Sequence, residues 1–226
     1  SIDNPIYTRR GSQFILGLKI TPPYSLIKGT TDAQYAQMTT SEKYNLLEYH
    51  KWKFSGKVFT PLSADSKLVL MARAEFGYLG HYNKNVKSPF ESFYMGGDGM
   101  SSYSSYSTEY IAMRGYQSGS LTPYDPATGR NMGYVYNKFT MELRYPIALE
   151  QNATIWALAF VEAGNCFADI RDYNPFKLKR SAGVGVRLFL PMFGLMGIDW
   201  GWGFDPINGS TQYGGSQFHF VLGQEL

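Results

Sequence analysis

Within residues 136–145 apolar and polar side chains alternate without a break from Lys138 onward. Phe139, Met141, Leu143 and Tyr145 fall on one side of an extended chain, and Lys138, Thr140, Glu142 and Arg144 on the other. Successive strand residues point to opposite faces, so this is a strand with one apolar and one charged surface. The same period recurs between Pro- and Gly-containing breaks and predicts about eight strands of about ten residues each. Their expected ranges are 11–21, 44–59, 67–78, 136–145, 153–165, 180–190, 195–204 and 216–226. In the first, Phe14, Leu16, Leu18 and Ile20 oppose Gln13, Ile15, Gly17 and Lys19; in the second, Trp52, Phe54 and Val58 oppose Lys51, Lys53, Ser55 and Lys57. The fifth is apolar on both faces except for Glu162, which is expected to point inward. Ser181, Gly183, Gly185, Gly197, Gly201 and Gly203 line the inner side of the sixth and seventh strands, where small residues let a loop or plug approach the wall.

Two architectures accept such strands, a water-soluble sandwich and a membrane barrel. Connection lengths separate them. Residues 61–66, 146–152 and 190–194 are short links, whereas 22–43, 79–132, 167–179 and 205–215 are longer. Short turns at one end and long loops at the other are the rhythm of an outer-membrane barrel, with the first strand running outward. Aromatic residues make up 16% of the chain and charged residues only 17%, with a mean hydropathy of -0.26. A lumen-facing polar set diluting a lipid-facing apolar set gives such an average. The apolar runs near 155–161 and 188–198 are too short, or too broken by Pro191 and Gly194, for a membrane helix of about 20 residues. The fold class is therefore all-β, a transmembrane antiparallel β-barrel occupying residues 1–226, with one long loop at about 79–132 that is far beyond the usual loop length. The opening turn Asp3-Asn4-Pro5 without a signal peptide reads as a fragment of a longer precursor or a mature chain whose earlier part is missing.

Several function classes find no support. A net charge of +3 with scattered Lys and Arg offers no nucleic-acid patch. His50, His81 and His219 sit on separate segments without metal-ligand spacing. Cys166 has no activating neighbour and reads as a structural thiol. Gly96-Gly97-Asp98-Gly99 lacks the Lys-Ser/Thr and helix of a phosphate loop. The chain is expected to be no enzyme and to need no cofactor, nucleotide or metal.

The long loop carries the sharpest motif, Met113-Arg114-Gly115-Tyr116, preceded by Pro89-Phe90-Glu91-Ser92-Phe93-Tyr94-Met95-Gly96-Gly97-Asp98. Here the chain resembles the BamA family of outer-membrane assembly proteins and their relatives, whose sixth extracellular loop folds into the lumen with a Val-Arg-Gly-Phe or Val-Arg-Gly-Tyr tip. Met113 replaces the usual Val, and the spacing from Gly97 to Arg114 is longer than is common in the family. Gly11-Ser12, residues 141–146, 160–164, Arg180-Ser181-Ala182-Gly183 and 218–223 follow in family order, so the resemblance covers essentially the whole chain. It implies the last eight or so of sixteen strands, with earlier strands and periplasmic repeats upstream. It also implies an insertase of the bacterial outer membrane, a surface antigen in type, whose partners are unfolded β-barrel clients, accessory assembly lipoproteins and the lipid bilayer.

A guanidinium at a loop tip inside a lumen needs carboxylates to fix it, and Glu142 and Glu162 are the inward candidates that match the family's acidic wall positions. The plain alternative is an exposed loop arginine and two solvated glutamates. Tyr213, Gly215, Phe218 and Phe220 are spaced like the β-signal by which barrels are recognised for assembly, although Leu226 departs from the family's terminal aromatic. In the family a glycine matching Gly223 kinks the last strand and opens a lateral seam; a simple barrel-closing glycine is the equal alternative. Trp52, Tyr145, Trp200 and Trp202 are read as interface-belt or lipid-packing residues. A secretion pore or passive channel of a related family is the competing function.

Overall fold

The computed structural model of the 226-residue chain describes residues 1–43, 47–83, 87–88, 90–100, 108–126 and 129–223. Tyr44, Pro89 and Leu226 lie outside the described residues. Strand β1 (Gly11–Ile20) is followed by three short helices, α1 (Tyr24–Lys28), α2 (Asp32–Gln37) and α3 (Thr40–Lys43), and by the long strands β2 (His50–Pro61) and β3 (Val69–Gly80). The long loop contributes four short strands, β4 (Phe93–Met95), β5 (Glu109–Ile111), β6 (Tyr124–Asp125) and β7 (Arg130–Asn131). The chain then returns through β8 (Val135–Leu149), β9 (Thr154–Phe167), β10 (Lys179–Leu190), β11 (Gly194–Pro206) and β12 (Tyr213–Leu222).

Eight strands form one antiparallel sheet in the order β1-β2-β3-β8-β9-β10-β11-β12, and no ladder joins β1 to β12 among the described residues. This is part of a barrel wall with two open edges. Three details differ from expectation. Pro146 lies inside β8 at a register shift against β9, not in a turn; a bulge tolerates a residue with no N–H to donate. The second strand begins at His50, with residues 47–49 outside any strand, and the connection before it holds short helices, one with a capping box at Thr31 and Gln34. The last strand begins at Tyr213, three residues earlier than the Gly-Gly pair suggests.

The two faces of the sheet are chemically opposite. Phe139, Met141, Leu143 and Tyr145 on β8, Ile198, Trp200, Trp202 and Phe204 on β11, and Phe218 and Phe220 on β12 are exposed on the outer face. Two indoles of the outer face have their N–H groups satisfied locally: Trp52 Nε1 donates to His50 Nδ1 (3.0 Å) and Trp200 Nε1 to Ser216 Oγ (2.9 Å). A donor facing hydrocarbon needs such a partner, since an unsatisfied one costs several kcal/mol, roughly. Lys51, Arg73, Lys138, Glu142, Arg144, Glu162, Arg187, Asp199 and His219 are buried on the inner face.

Two apolar clusters fill the concave side. One lies within the loop and against the wall, built from Phe93, Met95, Met113, Tyr116, Leu121, Tyr136 and Cys166 among others. It seats the described parts of the long loop against the wall. The other sits at the short-turn end, where Phe59, Met71, Trp156, Leu158 and Phe160 surround Tyr7. The Tyr7 hydroxyl donates to Lys67 O (2.8 Å) and stands 3.2 Å from Arg144 O, which closes that end with the segment preceding β1.

Candidate functional site

The loop turns at Met113-Arg114-Gly115-Tyr116, and its neighbour in the fold is the glycine run 96–99. Gly96 N donates to Ile111 O (3.0 Å), Gly97 N to Tyr116 O (3.0 Å), and Met113 N to Gly97 O (3.0 Å). Gly96 and Gly97 have φ of 126° and 79°, backbone that L side chains rarely adopt, so this ladder is possible because both are glycine. The run dismissed as a phosphate loop is the brace behind the tip.

Arg114 is fully buried against the wall. Its Nη2 donates to Glu142 Oε1 (2.7 Å) and Glu162 Oε1 (2.8 Å), its Nε to Glu162 Oε1 (3.1 Å), and its Nη1 to Asp199 Oδ2 (3.3 Å). The backbone N–H of Arg114 donates to Glu162 Oε2 (2.8 Å), and the guanidinium lies 3.7 Å from the Phe160 ring centroid. Three carboxylates from three strands thus converge on one planar cation, the geometry that an arginine fork suits.

Each of those carboxylates also holds a cation of the wall itself. Glu142 accepts from Arg144 (2.7 Å), Glu162 pairs with Lys138 (3.1 Å), and Asp199 accepts two bonds from Arg187 (both 2.7 Å). The site therefore contains four cations, Arg114, Lys138, Arg144 and Arg187, against three anions, and without Arg114 the wall is still paired one to one. Burying charge is costly unless it is paired. A wall already paired can be built before the tip arrives.

The rest of the tip rests on small residues. Gly115 has φ 84°, and its backbone runs over Gly201, Gly203 and Gly214: a Cβ on Gly201 would lie 2.8 Å from Gly115 N, and one on Gly203 or Gly214 would strike Gly115 O. Gly115 N donates to His219 Nε2 (2.9 Å). The Tyr116 hydroxyl donates to Arg180 O (2.8 Å), and burial pushes its pKa up to about 12.

A second contact fixes the base of the loop. Lys51 Nζ is 3.0 Å from Glu91 Oε2 and 2.9 Å from Glu109 Oε2, Lys19 reaches Glu91 (3.2 Å), and Lys53 pairs with Glu109. Burial works to raise both carboxyls, and the lysines overcome it and hold Glu91 and Glu109 below their ordinary value.

The sequence-singled residues fall in two groups. Met113, Arg114, Gly115, Tyr116, Glu142 and Glu162 come together inside the lumen. Tyr213, Phe218 and Phe220 stand on the outer face of β12, Gly215 (φ 67°) lies in that strand, and Gly223 (φ 72°) ends its ladder with an N–H donated to Leu195 O (2.7 Å). Asp199, His219, Phe160 and the wall cations were not singled out. Asp199 and His219 do alternate with apolar neighbours on the last two strands, which marks them as inward charges.

Comparison with known proteins fits this geometry. The sequence profile described as the Omp85 superfamily domain matches residues 2–226. Among solved structures the chain is similar to BamA from Haemophilus ducreyi lacking POTRA domains 1-3, with a TM-score of 0.62 and 17% identity. That match covers 98% of this chain and 40% of the other, so the chain spans well under half the length of that structure. No curated protein sequence matches significantly.

Proposed function

The chain belongs to the Omp85 superfamily, and on that premise we propose that it forms the C-terminal part of an outer-membrane insertase for β-barrel proteins. The observation that carries this reading is the seating of Arg114 among Glu142, Glu162 and Asp199 on the inner face of a wall whose outer face is apolar.

A client strand entering a bilayer must keep every backbone N–H and C=O paired, because hydrocarbon offers no partner. An edge of the last strand, released from its barrel neighbour, would offer those partners by strand addition. Gly223, in left-handed backbone just past Leu222, ends the β11–β12 ladder with its N–H donated to Leu195 O (2.7 Å). The loop meanwhile occupies the lumen and braces the wall from inside. None of these steps needs a nucleotide, a metal or a covalent intermediate. The client chains, accessory lipoproteins and outer-membrane lipids are the partners of this reading. A passive channel is less well supported, since buried Met95, Met113, Tyr116 and Leu121 of the loop pack into the concave face.

The test is insertion of a β-barrel client by the full-length protein in lipid vesicles. Arg114→Ala is expected to lower the rate at least tenfold while the protein still inserts and migrates as a folded barrel. Unchanged client insertion would remove the role given to the seated tip.

A further inference from the structure

His219 sits on β12 directly opposite Asp199 of β11 in the ladder. The two side chains grip successive residues of the tip: Asp199 accepts from the Arg114 side chain and His219 Nε2 accepts from the Gly115 backbone N–H at 2.9 Å. His219 is 4% exposed, so this N–H has no water to fall back on if the imidazole leaves. A ring nitrogen that accepts carries no proton, so the imidazole is neutral with its hydrogen on Nδ1. Gly214, at the other end of β12, contributes shape only, leaving room for Gly115 O.

The place of this bond in the sheet gives it weight. His219 belongs to the wall, laddered to β11, whereas the N–H it accepts from belongs to the loop, whose strands form no ladder with β12 among the described residues. A buried hydrogen bond therefore joins two elements that no ladder connects.

We propose that His219 is a positioning residue that ties the loop tip to the last strand, so that the seating of Gly115 and the pairing of β12 are lost or kept together. Its use in client insertion rests on the function proposed above. Movement of the last strand would unseat Gly115, and withdrawal of the tip would loosen the strand edge that a client must reach.

The experiment uses the full-length protein in lipid nanodiscs and reads amide hydrogen exchange at residues 111–117 and 213–222, with β8 and β9 as internal controls. His219→Phe fills the site without an acceptor and is expected to raise exchange in both segments about tenfold. His219→Gln keeps an acceptor oxygen and is expected to stay near the unsubstituted protein. The proposal is overturned if His219→Phe leaves either segment unchanged, or if His219→Gln exchanges as fast as His219→Phe. Should His219→Phe also disturb β8 and β9, His219→Gln decides alone: kept protection in both segments upholds the tie, and loss in either overturns it. Client insertion is scored separately. Faster exchange with unimpaired insertion would uphold the tie and remove its use in insertion, whereas no client insertion by the unsubstituted protein would count against the insertase reading alone.

Discussion

At its tip the long loop offers one cation to a wall of carboxylates, whereas at its base it offers two carboxylates to a wall of lysines. The two contacts differ in what they leave behind when broken. Withdrawing Arg114 leaves Glu142, Glu162 and Asp199 each with its own wall cation. Withdrawing Glu91 and Glu109 leaves Lys51, whose side chain is 3% exposed, without the carboxylates that neutralise it. A stranded buried charge is far more costly than a lost pair between groups that keep other partners. The base is thus a fixed anchor and the tip a detachable one. A loop meant to respond to a moving strand needs both properties at opposite ends.

The comparison is tested most severely at the base. Glu91→Gln combined with Glu109→Gln strands Lys51 and is expected to destabilise the loop by about 3 kcal/mol, the low end for broken buried pairs because both carboxylates are partly exposed. Amide exchange across residues 90–96 and 108–111 measures it, and protection equal to the unsubstituted protein would erase the distinction between the two ends. Gly203→Val attacks the tip by shape. Its side chain would occupy the space of Gly115 O, with Gly214 Cα 2.9 Å and Tyr116 Cζ 3.0 Å from the new Cβ. Overpacking of this kind costs about 2 kcal/mol, and the tip is expected to lose protection while the base keeps it.

The smallest effect is with pH. Glu91 and Glu109 have pKa values lowered from 4.5 by their lysines, so their contribution is complete above that value. It is lost as pH falls below 4.5 through the depressed values. Carboxyl chemical shifts followed by NMR should show both groups still ionised at pH 4.5, and titration at or above 4.5 would contradict the lysine clamp.

Much of the wall was legible in the sequence because the strand period is two. The dyad on β8 placed Glu142 inward without any knowledge of neighbours, and Glu162 was the one charge in an apolar strand. Of the small residues on the inner side of β10 and β11, Ser181, Gly201 and Gly203 do lie under Gly115, whereas Gly183, Gly185 and Gly197 face Phe160, Asp199 and Arg187 of the wall itself. The partners were harder to see. Asp199 and His219 are 85 and 104 residues from the loop atoms they bind, and only the curvature of the sheet brings them together. The base clamp was hidden for the same reason, since Lys51 and Glu91 belong to segments whose separation no local pattern encodes. Pro146 misled in the other direction: proline punctuates most strands, yet here a bulge accommodates it.

The central claim is that the wall is charge-paired without the tip. Arg114→Ala in the full-length protein, followed by urea unfolding of the barrel and by amide exchange at residues 111–117, tests it directly. The expected result is a tip that loses protection on a barrel whose unfolding free energy changes by no more than about 1 kcal/mol. A barrel destabilised by about 3–5 kcal/mol, the cost of buried charge left unpaired, would contradict it.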